Sequence, residues 1–354
     1  MAQRLKEGPA TPRTRRSAIL SPAEFGGDPL VWAAWLYYEE RMTQEEIADR
    51  LGISRATVVN FLQEARNRGI VTIAVSPDHL TSVRLARMLA RIYGLQSCAV
   101  IPDDGGRLPD YERIGQAGAR LLAQMLRPND TLGVSWGRTV LALSKALPAI
   151  ALPHVSVVQV TGSAIGTYEF SAELCTSNIA SRIGARCVNL HAPGIVSRPQ
   201  VKTILMREPT LVEQFRIIRS CNKILFGVTN VAATSMAIGS GYLTEDQSRP
   251  YIERGAIGVL AGRFFDRRGR PVLGELDERM IGITLDELAG IPERICVAGG
   301  LDKVPALHAA LSARYATVLV TDERTARDLV GMEARRGAPP GRGAERLGNG
   351  EAQS

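Results

Sequence analysis

Apolar side chains recur at helical spacing through residues 27–69, then from about residue 79 gather into short runs separated by amphipathic stretches. In the first region, Thr43-Gln44-Glu45-Glu46 is a capping box: the Thr43 hydroxyl can accept from the backbone N–H of Glu46 while the Glu46 carboxylate reaches back. A helix through Arg50 follows. Gly52 tolerates the positive φ of a tight turn, Ser54 is a good N-cap, and a second helix runs to about Arg68 with Gly69 as its stop. Val58, Phe61, Leu62 and Ala65 share one face of that second helix and can pack against Ile47, Leu51 and Ile53. Two helices joined by a Gly-containing turn make a helix-turn-helix pattern.

Residues 70–75 are predicted to form a short strand, with Ser76-Pro77-Asp78 as a linker. Beyond it, strands are predicted at Cys98–Ile101, Thr131–Val134, Val155–Val160, Cys187–Leu190, Lys223–Val228, Ile295–Ala298 and Thr317–Val320, each short, β-branched-rich and bounded by Gly, Pro or polar residues. Helical stretches such as Ile114–Leu126 and Lys303–Ala313 intervene. Strand–helix alternation predicts an α/β fold, a doubly wound, mostly parallel Rossmann-like sheet following the helix-turn-helix. The expected organisation is a tail over 1–26, a helix-turn-helix domain over 27–76, a ligand-binding domain over 77–333 and a second tail over 334–354.

The net charge of +7 suggests nucleic acid, but its distribution weakens that inference. Residues 1–20 hold five basic side chains against Glu7, and residues 334–354 hold four arginines against two glutamates, so most of the excess lies in the tails. Both tails are rich in Pro, Gly, Ala and Arg and read as disordered. The five cysteines show no C-x-x-C spacing, which predicts buried, reduced thiols rather than a disulfide framework or a zinc finger. No metal or other cofactor is expected. No apolar run approaches the ~18–20 residues of a membrane span, and no apolar stretch follows the basic N-terminus as in a secretory signal. The expected location is the cytoplasm, with no membrane partner.

The argument for DNA therefore rests on the second helix. Its polar face carries Ala56, Asn60, Gln63 and Asn67, flanked by Arg55, Thr57 and Arg66. Asn and Gln can bond adenine edges, and Arg guanine or phosphate. N-terminal residues of such a helix usually reach the bases, so Arg55, Ala56, Thr57 and Asn60 are candidates for base readout, with the cap Ser54 beside them. Gln44 and Arg66 are candidate phosphate contacts. Acidic residues crowd 39–49 and arginines 50–68, so one side of the unit can face DNA and the other away.

In a parallel sheet the loops after the strands converge at one edge, where ligands bind. Ser135, Gly137, Arg138 and Thr139 follow the strand at 131–134, and helix N-terminal amides with an arginine can hold an anion. Gly162 and Ser163 follow the strand at 155–160. Gly299-Gly300-Leu301-Asp302-Lys303 follows the strand at 295–298, with Lys303 as a point charge for phosphate and the paired glycines leaving room for a ligand. Gly262-Arg263-Phe264-Phe265-Asp266 reads as a fourth loop, contributing Arg263 and Asp266; Gly227 ends a further strand.

These stretches, in this order, make the chain similar to the SorC family of sugar-responsive transcription regulators over about residues 30–330. They include Leu51-Gly52-Ile53-Ser54-Arg55, Gly133-Val134-Ser135-Trp136-Gly137-Arg138-Thr139, Gly255-Ala256-Ile257-Gly258, Gly262–Asp266, Ala298-Gly299-Gly300-Leu301-Asp302-Lys303 and Leu319-Val320-Thr321-Asp322-Glu323. The resemblance implies a sugar-binding domain related to glucosamine-6-phosphate deaminase and ribose-5-phosphate isomerase folds. It also implies a homo-oligomeric repressor or activator, a dimer or often a tetramer, whose binding to double-stranded operator DNA is switched by a sugar or sugar-phosphate effector. The chain departs from the family after Gly227, where Val228-Thr229-Asn230 replaces a glycine-rich turn. The rival class is a sugar-phosphate isomerase or deaminase-like enzyme carrying a DNA-binding module. Such chemistry needs positioned acid–base groups, and none of His79, His154, His191 and His308 falls in the candidate loops. A DNA-binding architectural protein without a ligand is the third class.

Overall fold

A computed structural model describes residues 27–72, 77–164, 170–232, 235, 238 and 243–337, with no side-chain detail for 77–79 or 334–337. The chain divides into two compact units, Met1–Val75 and Ser76–Ser354. The predicted tails fall outside the described residues, apart from the helical backbone at 334–337.

In the first unit, α1 (Pro29–Tyr38) starts from Asp28, whose Oδ1 accepts from the Leu30 amide at 2.9 Å. The capping box opens α2 (Gln44–Leu51): the Glu46 amide donates to Thr43 Oγ1 at 3.3 Å and the Thr43 amide to Glu46 Oε2 at 2.7 Å. Gly52 ends α2 at φ 65°. Ser54 Oγ then accepts from the Thr57 amide at 3.1 Å to open α3 (Arg55–Asn67). Ala33 and Leu36 of α1, Ile47, Ala48 and Leu51 of α2, and Val58 and Leu62 of α3 form one buried core. The strand expected at 70–75 does not start: residues 70–72 have no strand structure, and 73–76 lie outside the described residues. The Val71 amide instead donates to the Ala65 carbonyl at 3.2 Å, and the Val71 side chain packs beside Leu30, Ala34 and Ala65, terminating α3 with an apolar contact.

The second unit opens with α4 (Pro77–Tyr93), so Pro77 and Asp78 belong to a helix rather than a linker. Proline suits a first helical turn, where its missing N–H costs nothing. The chain continues through β1 (Ser97–Ile101), α5 (Asp110–Met125), β2 (Thr131–Val134), α6 (Arg138–Ala146), β3 (Ser156–Gln159), α7 (Ala172–Ile183), β4 (Arg186–Val188), α8 (Pro199–Leu205), α9 (Pro209–Arg219) and β5 (Lys223–Phe226). It then runs through β6 (Val228–Asn230), α10 (Glu245–Glu253), β7 (Ala256–Leu260), β8 (Arg263–Asp266), α11 (Leu285–Ala289), β9 (Glu293–Val297), α12 (Val304–Ser312), β10 (Val318–Asp322) and α13 (Glu323–Gly337).

The main sheet is parallel throughout, in the order β1-β10-β9-β5-β2-β3-β4. Its central strands are apolar on both faces, as helices on either side require. Ile224 and Phe226 of β5 enter the core on one side and Leu225 the core on the other; Cys296 and Val297 of β9 divide the same way. At the start of β5, the ammonium of Lys223 is buried between Asp130 (3.4 Å) and Glu293 (2.5 Å), tying β5 to the turn before β2 and to β9.

Gly227 ends β5, and the chain leaves the main sheet to begin a three-stranded antiparallel sheet, β6-β7-β8. This small sheet was not predicted. The stretch Gly262–Asp266, expected as a loop, contains a strand. Ala261 (φ 49°) and Gly262 (φ 79°) are the two turn residues of a hairpin, and Arg263–Asp266 is its second strand. Four cysteines are partly or fully buried, and burial pushes the thiols of Cys98, Cys175, Cys221 and Cys296 up to about 12, so they are unreactive. Cys187, expected to be buried, is exposed because it lies on the edge strand β4.

Candidate functional site: a cationic pocket and a recognition helix

β2 and β5 are neighbours in the sheet, yet β2 leads on toward the β4 edge while the chain after β5 returns to β9 on the other side. Loops that diverge from adjacent parallel strands leave a crevice at their carboxyl ends. The pocket lies there, with about 540 Å³ of space including part open to solvent. Ser135, Trp136, Gly137, Arg138, Thr139 and Val140 line it from the β2–α6 loop. Gly227 follows β5, Val228 and Thr229 come from β6, and Val297 and Lys303 from β9 and the segment after it. Tyr111 of α5 and Ala261-Gly262 of the hairpin turn complete the lining together with Val259.

Local chemistry explains how the cations are presented. Gly137 has φ 135° and ψ 161°, a backbone conformation closed to side chains, and it turns the chain from β2 directly into α6. Arg138 is the first residue of α6, and its guanidinium lies over the Tyr111 ring, 5.2 Å from the centroid. Lys303 follows the glycine pair. The space beside Gly299 is filled by the chain's own Asp322: a Cβ there would lie 2.1 Å from Asp322 Oδ2. The buried Asp322 carboxylate accepts from the Thr325 amide (2.8 Å), the Thr325 hydroxyl (2.6 Å) and the Gly300 amide (3.3 Å). Thr325 Oγ1 also accepts from the Gly300 amide at 2.8 Å. The pair thus accommodates a protein carboxylate that braces the loop carrying Lys303, where the sequence suggested room for a ligand.

Burial is the main reason the Lys303 ammonium is held below the usual lysine range; Asp302 opposes this, and Arg138 pushes further in the same direction. Both cations line the same pocket, and an anion there relieves the repulsion that Lys303 feels from Arg138.

Ser135, Gly137, Arg138, Thr139, Gly227 and Lys303 come together as the sequence suggested. Gly162, Ser163, Arg263 and Asp266 do not line the pocket. Gly162 passes against Pro193 and Gly194, where a Cβ would meet the Pro193 carbonyl at 2.6 Å. Ser163 continues that backbone contact, its amide donating to Ala192 at 2.9 Å. Arg263 points into protein: its Nη1 bonds Asp277 Oδ1 at 3.0 Å, its Nη2 the Gly282 carbonyl at 3.2 Å and its Nε the Ile283 carbonyl at 3.2 Å. Asp266 closes the turn after β8, accepting from the amides of Arg268 (2.8 Å) and Arg270 (2.9 Å) and pairing with the Arg270 guanidinium. Tyr111, Thr229 and Ala261 were missed, because each reaches the pocket from an element whose position depends on the whole fold.

On the first unit, Ser54, Arg55, Ala56 and Asn60 are exposed along the outer face of α3, with Thr57 and Gln44 half-buried beside them. Among the described residues no hydrogen bond or ion pair holds Arg55 or Asn60. Farther along, Arg66 Nη2 donates to Gln63 Oε1 at 2.8 Å and Gln63 Nε2 to Asn67 Oδ1 at 3.2 Å, so that end of the face is internally satisfied. Asn60→Ala is expected to weaken operator binding by roughly 1–3 kcal/mol and to relax base preference at one position. Affinities for operator and mixed-sequence duplexes check this; equal losses on both would remove Asn60 from base readout.

Residues 78–331 match the Sugar-bind family model, a sugar-binding domain, and residues 35–68 match Sigma-70, region 4. The chain belongs to the SorC family of sugar-responsive transcriptional regulators. Among its relatives it is 35% identical to the uncharacterized transcriptional regulator YjhU of Escherichia coli K12, covering 87% of this chain and 96% of that one. It is 32% identical to the deoxyribonucleoside regulator of Bacillus subtilis, covering 84% and 96%. The crystal structure of the full-length sorbitol operon regulator SorC from Klebsiella pneumoniae superposes with a TM-score of 0.67 at 30% identity, over 85% of this chain and 97% of that chain. As in that family, the α/β unit follows an N-terminal helical region, and the chain is a transcription regulator with a sugar-binding domain. No helix among the described residues is long and apolar enough to cross a membrane.

Proposed function

We propose that this regulator reads operator DNA with α3 and senses a phosphorylated sugar in the pocket at the carboxyl edge of β2, β5 and β9. The observation that carries the effector's chemistry is the juxtaposition of Arg138 and Lys303 across one pocket, beside the N-terminus of α6. A phosphate between them gains two cations and helix-terminal amides. The apolar and hydroxyl-bearing remainder of the lining, with Thr229 and Tyr111, suits a small polyhydroxylated body. Relatives named for sorbitol and deoxyribonucleosides are consistent with that size and class.

Arg55, Ala56, Thr57 and Asn60 are the base-reading residues of this proposal, with Ser54 capping their helix and Gln44 and Arg66 at phosphates. The helix-turn-helix domain spans 27–76 and the effector domain 77–333. The protein acts in the cytoplasm as a homo-oligomer, a dimer or tetramer, and catalyses no reaction on its effector. Among the described residues, the ionisable groups lining the pocket are Tyr111, Arg138 and Lys303, and no carboxylate or imidazole lies there to serve as a general base.

A thermal-shift screen of phosphorylated and free sugars and polyols, followed by a search for turnover of every stabilising compound, tests this reading. A stabilising sugar phosphate recovered unchanged is expected. Stabilisation by neutral sugars alone would overturn the anionic effector, and turnover would replace the sensor with an enzyme.

A further inference from the structure

We propose that Arg41, in the turn between α1 and α2, grips a phosphate of the DNA backbone beside the N-terminus of the recognition helix. This rests on the reading that α3 enters DNA and adds a contact that the amphipathic pattern of α2 and α3 does not reveal.

Arg41 has φ 55°, in the left-handed region. It occupies the turn that ends α1, where the Met42 amide donates to the Leu36 carbonyl at 3.0 Å. That closure commonly places its left-handed residue at glycine. The chain uses glycine in the left-handed turns at Gly52, Gly69 and Gly184. An arginine in this conformation carries a steric strain that glycine would not.

A second arginine, Arg314, has φ 59° after α12. Arg314 is exposed; its guanidinium passes about 3.9 Å from where a Cβ on Gly94 would lie, and its carbonyl accepts from the Arg294 guanidinium. Arg41 is exposed as well, and no hydrogen bond or ion pair among the described residues holds its guanidinium. The neighbouring carboxylates are used elsewhere, Glu40 by Arg50 at 3.1 Å and Glu46 by the Thr43 cap.

The surroundings of Arg41 fit a backbone phosphate. It shares a shallow hollow with Tyr37, Thr43, Gln44, Glu45 and Arg55. Its lining thus holds two arginines against one glutamate, with Tyr37, Thr43 and Gln44 as neutral polar residues. Arg55 is the first residue of α3, so an anion in the hollow lies beside the end of the helix that reaches base edges. A phosphate contact there fixes how the recognition helix enters the groove and carries no base preference of its own.

The test compares Arg41→Gly and Arg41→Lys with the wild-type full chain, on the duplex that the wild type selects from a random-sequence library. Glycine removes both the cation and the strain. Arg41→Gly is therefore expected to keep or raise the thermal midpoint while weakening binding by roughly 3- to 10-fold at moderate salt, on selected and mixed-sequence duplexes alike. The slope of log affinity against log salt should fall by about 1 per bound chain. Arg41→Lys should retain most of both affinity and slope. Wild-type affinity and slope in Arg41→Gly would overturn the inference while leaving DNA recognition by α3 intact. A lowered midpoint with an unchanged salt slope would assign Arg41 a structural role instead. A wild-type chain that selects no duplex would overturn this contact together with the reading on which it rests.

Discussion

Arg263→Ala is expected to cost the second unit about 3–5 kcal/mol of folding stability and to leave the effector response of the surviving folded molecules unchanged. Arg263 is only 7% exposed, and all three of its guanidinium nitrogens are engaged by protein. Truncation leaves the carbonyls of Gly282 and Ile283 without these donors and removes the counter-charge from Asp277. Asp277 keeps the Tyr251 hydroxyl at 3.0 Å and the Gly274 amide at 2.8 Å, which moderates the loss without neutralising the carboxylate. The residue lies where β8 meets the segment leading into α11 and does not line the pocket, so its loss is felt as stability. Denaturant unfolding of the variant, with effector titration at low temperature, checks both halves. A variant of wild-type stability that no longer answers the effector would make Arg263 a ligand contact.

Arg138→Ala and Lys303→Ala should each remove the effector response while leaving effector-free DNA binding near wild type. A ligand shifts DNA affinity only by its unequal affinity for the two states of the protein, typically about 1–3 kcal/mol of coupling. Removing either cation removes the phosphate's principal attraction. Neither residue belongs to the DNA-reading unit. Arg138 is exposed at a helix start, and its contact with Tyr111 is its one described interaction with an aromatic ring, so alanine there should fold normally. Lys303 also gives a pH signature. Burial and Arg138 lower its pKa in the free protein, and a bound phosphate raises it again. Its charge is present below the free-protein value and lost above it. Effector binding should therefore take up a proton, and affinity should fall, as pH rises through that lowered value. Operator complexes of each variant titrated with the stabilising sugar phosphate give the readout. Unchanged dose responses in both variants would move the effector away from this edge.

Local interactions made much of the fold legible. The capping box at Thr43, the turn at Gly52 and the N-cap at Ser54 are interactions within four residues, and each forms as read. The parallel strands were visible because burial on both faces demands continuous β-branched runs, and Thr131–Val134 matches to the residue. What failed depends on distant partners. Gly299 and Gly300 looked like room for a ligand because nothing nearby in sequence occupies the space, yet Asp322 arrives from β10 to fill it. Arg263 and Asp266 looked like a polar loop because two charges flank two aromatics. In a hairpin that pattern alternates across a small sheet, with Phe264 and Phe265 entering different cores. Val71 looked like the start of a strand, whereas its contact with the end of α3 uses the same apolar side chain differently.

The affinity of the full chain for its selected duplex, measured with and without each phosphorylated sugar that stabilises the protein, tests the central claim most directly. At least one such sugar is predicted to shift the dissociation constant by roughly 5- to 150-fold, and the shift should vanish in Arg138→Ala. Sugar phosphates that bind the protein tightly yet leave its DNA affinity unchanged would contradict the account.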